Sequence, residues 1–160
     1  MSNFEIEINN LTKIEINQKN LKRIAIEVLK KEKNRNKNFS IAFIGANRMR
    51  KLNKEYRNKN RVTDILAFPE NEIEFGKSYP KRLKKTRNLG EIVICLREIK
   101  KNSKRLKISF KEELNRVLIH GILHLLGYDH EKEIKEVLKM KMKEEKYLNI
   151  CRKIKFDPKI

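Results

Sequence analysis

VLIHGILHLLGYDH, residues 117–130, is the stretch on which the reading of this chain turns. Wound as a helix it is apolar on almost every side and must be buried, yet it holds all three histidines of the chain, His120, His124 and His130. A spacing of four places the first two imidazoles on one helix face, close enough to bind one ion. Gly127 can take a positive φ and end the helix, after which His130 can swing back toward the same point. An isolated histidine on a buried helix is more often a hydrogen-bonded core residue. Three at this spacing predict one zinc per chain, held by three histidines with an open fourth position, the arrangement that activates water for hydrolysis.

The same spacing, His-x-x-x-His-x-x-Gly-x-x-His, occurs in the zinc-binding stretch of metzincin proteases, with Gly121 standing where those enzymes carry their general-base Glu. Asp129 is a candidate to orient a ligand from behind, or else a solvated turn residue. Neither Cys95 nor Cys151 fits a metal or redox spacing, and both read as free thiols.

The chain of 160 residues carries 40 Lys+Arg against 21 Asp+Glu, a formal net charge of +19. That length is one domain, and about 150 residues suffice to bury a core without disulfide staples. With 39% hydrophobic and 38% charged residues, composition alone permits disorder, but the apolar residues cluster in IAFIG (41–45), DILAF (64–68) and EIVICL (91–96) as well as in the histidine stretch. No apolar run reaches the ~20 residues of a membrane span. MSNFEIEINN lacks the layout of a secretory signal, so a cytoplasmic location is expected. The positive surplus suits a polyanion, and nucleic acid is the commonest one, although a Lys/Asn/Ile-heavy composition also follows from genome bias.

Apolar periodicity predicts strands at 4–8 and 13–16, the first pair a possible hairpin, then a helix over 21–29 capped by Asn17. Further strands are predicted at 39–44, 62–68 (stopped by Pro69) and 89–96. Helices follow at 49–57, 97–104, 110–126 and 131–148, and 70–89 reads as a basic surface loop. The expected fold is α+β: one mixed sheet of about four or five strands packed with helices, as a single domain over 1–150 with a basic tail at 151–160.

At this point the sequence resembles the YbeY family of rRNA-maturation endoribonucleases. HGILHLLGYDH is similar to the family's His-Gly-x-Leu-His-Leu-x-Gly-x-Asp-His signature without a gap. LNKEYRNKNRVTDILAFP (52–69) resembles the segment carrying Leu-Asn, Tyr-Arg and Thr-Asp-Val-Leu-Ser-Phe-Pro, and LGEIVIC (89–95) resembles its Leu-Gly-Asp-Ile strand. Departures are Val62 for Pro, Ala67 for Ser, Glu91 for Asp, and an elongated basic loop at 77–87. The resemblance covers most of residues 4–148. It implies a zincin-like fold, zinc on His120, His124 and His130, and endonucleolytic cleavage of single-stranded RNA. The expected setting is maturation of the 3′ end of small-subunit rRNA and ribosome quality control, with ribosomal subunits or ribosome-associated proteins as partners.

It also singles out Arg57, from the Tyr-Arg match, as catalytic alongside the metal-bound His120 and His124. An Arg at a helix end is usually a solvated charge, but guanidinium suits a phosphate that gains charge. Arg57 with Lys81, Arg82, Lys84, Lys85 and Arg87 forms the expected RNA-binding set. With every histidine used as a ligand, acid–base work falls to metal-activated water or to a carboxylate such as Glu91 or Asp64. Two rivals stand beside this reading: a metalloprotease-like hydrolase, which Gly121 disfavours, and a non-catalytic ribosome-associated RNA-binding module with structural zinc.

Overall fold

The computed structural model describes residues 3–70, 87–129 and 133–154. Among them the elements run β1 (Glu5–Asn10), α1 (Gln18–Lys31), β2 (Asn38–Ile44), α2 (Ala46–Arg57), β3 (Ile65–Pro69), β4 (Asn88–Cys95), α3 (Leu96–Leu106), α4 (Phe110–Leu125) and α5 (Ile134–Lys153). The strands form one sheet in the order β1-β2-β4-β3. β1 pairs β2 and β2 pairs β4 in parallel, whereas β3 runs antiparallel to β4. The predicted mixed α+β sheet is therefore present, with four strands among the described residues.

The predicted hairpin at the start is absent. β1 and β2 are parallel, with Ile6 opposite Phe39 and Ile8 opposite Ile41, so α1 serves as the crossover that parallel strands require. Residues 13–16 form no strand because Asn10 and Thr12 capture the local backbone. The Asn10 amide donates to Ile14 O (2.8 Å), and the Thr12 amide and hydroxyl donate to Asn10 Oδ1 (3.1 and 2.7 Å). Such short-range bonds compete with a ladder and favour a turn. Asn17 caps α1 as expected, accepting from Asn20 N at 3.0 Å. β3 begins three residues later than its periodicity suggested and includes Pro69, which an edge strand tolerates.

Alternation along the strands divides the core in two. Ile41, Phe43, Ile92 and Ile94 face a large cluster shared with α1, α4 and α5, while Ile44, Leu66, Val93 and Cys95 face a smaller one with Met49 of α2. Covered on both faces, β4 is apolar almost throughout. Ser109 caps α4 by accepting from Glu112 N (3.0 Å), and Glu112 and Glu113 occupy its first turn, where the helix dipole favours acids. From Glu113 onward α4 is buried everywhere except Arg116, His120 and His124, and with Glu112 these form one i, i+4 stripe. Gly121 brings the helix close to the sheet: a Cβ there would stand 2.6 Å from Ile65 Cδ1 and 3.1 Å from Ile92 Cδ1.

The end of α4 is set by Gly127 at φ 99°. Gly127 N donates to His124 O and Tyr128 N to Leu123 O, both at 3.0 Å, the paired bonds of a Schellman motif. α5 runs on to Lys153, and its Met140, Tyr147, Leu148 and Cys151 are buried in the large cluster. Cys151 thus belongs to the packed helix; burial pushes its thiol up to about 11. No helix of the described residues is long and apolar enough to cross a membrane.

One carboxylate ties three of these segments together. Glu32, at the end of α1, accepts the Tyr128 hydroxyl (2.9 Å), the Tyr147 hydroxyl and Lys143 Nζ (3.0 Å). Burial alone would raise Glu32, but the hydrogen bonds from Tyr147, Lys143 and Tyr128 outweigh it and hold the carboxyl below its ordinary value. Burial and the Glu32 carboxylate in turn raise both phenols, which stay protonated as donors. A carboxyl lowered by folding adds stability above its unfolded pKa of about 4.3 and loses it as pH falls through the lower folded value. Glu32→Gln should therefore cost stability at pH 7 and progressively less below about pH 4, measured by urea unfolding across a pH series. A difference independent of pH would contradict the charged state assigned to Glu32.

Candidate metal centre

The open stripe of α4 is where the helix meets solvent, and two of its members carry imidazoles. His120 and His124 stand with ring centroids 4.6 Å apart at 76°, and their Nε2 atoms are 3.0 Å from one another. Zn–N bonds are about 2.0–2.1 Å, so both nitrogens are within reach of a single ion between them. His120 Nδ1 pairs with Glu144 Oε1 from α5 in a short contact. A carboxylate accepts, so Nδ1 carries a proton, and in the neutral ring this leaves Nε2 as the atom whose lone pair faces the shared point. This carboxylate–histidine pairing is how metal-ligating imidazoles are fixed in tautomer and orientation. The side chains of His120 and Glu144 are 27% and 14% exposed, open enough for a substrate to approach. These donors fit zinc.

Spacing alone identified His120 and His124 but not Glu144, which lies twenty-four residues further on in another helix. No local pattern marks it; only the packing of α5 along α4 brings it in. Glu113 and Arg116 were also passed over. Glu113 is fully buried, and its carboxylate accepts Arg116 Nε (3.0 Å) and Nη2 (2.7 Å). Arg116 lies four residues before His120, so the spacing that joined the histidines also reaches it and places a fixed guanidinium one turn from them.

Other expected residues are placed elsewhere. Arg57, at the end of α2, donates from Nη2 to Ala67 O at 3.1 Å, and neighbouring Tyr56 packs edge-on against Phe68. Arg57 is thus fastened to β3, the strand whose Ile65 abuts Gly121 of α4. Asp64, at the entrance to β3, is engaged at 3.4 Å by the Thr63 hydroxyl and at 3.5 Å by the Asn102 amide. Glu91 lies in β4 opposite Phe68. Arg87 is exposed and accepts Asn38 N through its carbonyl, which seats the start of β4. His130, Lys81, Arg82, Lys84 and Lys85 lie outside the described residues.

A family model described as Endoribonuclease YbeY matches residues 6–152. The chain is 34% identical over 155 residues to the Endoribonuclease YbeY of Clostridium botulinum, covering 88% of this chain and 93% of that one. It is 40% identical to the Sulfurihydrogenibium protein of that name, with 73% and 72% covered, and 45% identical to that of Thermodesulfovibrio yellowstonii, where the match spans 69% of this chain and 64% of the relative. Among solved structures, the solution structure of a Thermotoga maritima protein superposes with a TM-score of 0.62 at 30% identity, covering 97% and 99% of the two chains. With a family match over nearly its whole length and a shared fold, the chain belongs to the YbeY family of endoribonucleases.

Proposed function

We propose that this protein is a zinc-dependent, single-strand-specific endoribonuclease of ribosomal RNA maturation, acting at the 3′ end of small-subunit rRNA and in ribosome quality control, in the cytoplasm and in contact with ribosomal subunits or their proteins. The observation that carries it is the convergence of His120 and His124 on the open stripe of α4, with Glu144 behind His120. His130, ten residues after His120 in the signature, is the proposed third ligand. Zinc bound there would supply Lewis-acid chemistry, activating water or polarising a phosphoryl oxygen.

The chain's own residues do the rest. Glu144 holds the His120 ring and its proton. Arg57, fixed on β3, presents a planar fork to the charge that develops on the phosphoryl oxygens. The basic surplus, including Lys81, Arg82, Lys84, Lys85 and Arg87, retains the RNA by phosphate contact, since a chain with no Trp and 7% aromatic residues offers few rings for bases to stack on. The protease-like alternative loses support from packing. A side chain at position 121 would be driven into Ile65 and Ile92 and would not reach the histidines. Cys95 lies in the cluster on the sheet face opposite α4, so it does not close the shell as it would in a structural zinc site.

The direct test is cleavage of a ribosomal RNA precursor, with and without ribosomal subunits, by zinc-loaded and chelated protein; equal cleavage by both forms would reject the reading. Elemental analysis should find one zinc per chain, lost in the His120→Ala/His124→Ala double variant. Glu144→Ala should keep the fold, by circular dichroism, yet weaken zinc binding by about 10–100-fold. Unchanged affinity would deny Glu144 its orienting role.

Arg57→Ala should retain zinc and slow single-turnover cleavage by roughly 10²–10³, with Arg57→Lys recovering part of the loss. A near-normal rate would return Arg57 to the surface. Binding of single-stranded RNA should fall with salt, with a log–log slope of about −3 to −4 for some 4–6 phosphate contacts. A flat response in a salt titration would contradict phosphate neutralisation as the main term.

A further inference from the structure

α5 packs on the core through Met140, Tyr147, Leu148 and Cys151, yet its outward side is not uniformly polar. Ile134, Leu138 and Met142 follow one another at intervals of four and are 80%, 55% and 73% exposed. Ile134 and Met142 are the most exposed large apolar side chains among the described residues. Single exposed apolar residues are ordinary, but three in file along one helix face make a patch. At 1.5 Å per residue the row extends about 12 Å, a little over two turns.

Lysines border this row. Lys135, Lys139, Lys143 and Lys146 stand along one side of it, and with Leu138 and Met142 they line a shallow groove. Their aliphatic stems add apolar cover while the ammonium groups keep to the rim. Lys139 and Lys146 lie 5.7 and 5.6 Å from the ring centres of Tyr128 and Tyr147, and Lys143 is held by Glu32 at 3.0 Å. The basic border is therefore in place before any partner arrives, which lowers the cost of ordering it on binding.

We infer that this face of α5 docks an acidic amphipathic helix of another protein, whose apolar residues cover Ile134, Leu138 and Met142 and whose Asp and Glu side chains meet the lysine border. The surface is distinct from the histidine pair: Glu144, which reaches His120, projects from a different side of the helix. Nothing in the inference depends on the metal reading. Apolar anchors at helical spacing suit a partner helix, and complementary charge along the flank sets its choice and register.

Three other occupants fit less well. RNA phosphates would meet the lysines but leave the aliphatic row in water. A second copy would set lysine against lysine between chains that each carry a formal charge of +19. An anionic bilayer is opposed by Glu145, exposed three residues after Met142 and in line with the row. α5 also exposes no aromatic side chain to seat among headgroups, since its one aromatic residue, Tyr147, is buried.

The probe is a fluorescein-labelled synthetic helical peptide with Leu at every third or fourth position and Glu on its other faces, titrated with the full-length protein by anisotropy. A scrambled isomer carries the same charge without the apolar stripe. The striped peptide should bind at least about tenfold more tightly than its isomer, and Leu138→Gln/Met142→Gln should erase that preference. Lys135→Glu/Lys139→Glu should weaken binding by about as much, with the circular dichroism of both double variants unchanged. Equal binding of the two peptides, no binding of either, or full binding by the Gln double variant would overturn the inference. So would any sign that the apolar row serves another occupant: sedimentation with phosphatidylserine vesicles, self-association, or affinity for single-stranded RNA that the Gln double variant loses.

Discussion

Burial of α4 on all sides but one is the constraint on which the remaining structure depends. Leu118, Ile119, Ile122 and Leu123 are completely removed from solvent, and burying each such side chain contributes about 1.5–3 kcal/mol relative to exposure. Turning the helix about its axis would expose several at once, so its orientation has one solution. Gly121 tightens that solution by allowing β3 and β4 to approach closely. The histidines therefore occupy the single open stripe because every other face is committed to the core. The proposed metal site would inherit its rigidity from this packing.

The charge distribution has two scales. The chain as a whole is strongly basic, which favours association with a polyanion from any direction. Among the described residues, acids on and around α4 are paired: Glu144 with His120, Glu113 with Arg116, Glu112 with Arg152, and Glu32 with two tyrosines and a lysine. Buried acids of this kind are tolerated because they are paired. On the proposed reading, the local acids orient ligands and segments, and the diffuse basic surface retains the substrate.

Much of this was legible in the amino-acid sequence. The i, i+4 histidines followed by Gly127, the Asn17 cap, the two-sided apolar run of β4 and the change of period into α1 each carry their structural reason locally. What was not legible depends on contacts between distant segments. Glu144 and Glu32 look like ordinary surface acids in lysine-rich helices, and only the seating of α5 against α1 and α4 gives them partners. The first-strand hairpin was misjudged because Asn10 and Thr12 bond their own backbone, a competition that alternation of apolar residues does not reveal. Arg116 was within reach, since it continues the spacing of four that the histidines define.

The most direct measurement is anomalous diffraction at the zinc edge from crystals of the full-length protein grown with zinc. The account predicts one strong peak per chain, about 2.0–2.1 Å from the Nε2 atoms of both His120 and His124, with His130 as the third protein ligand and Glu144 still on His120 Nδ1. A peak bound elsewhere, or none between the two histidines at full zinc occupancy, would contradict it.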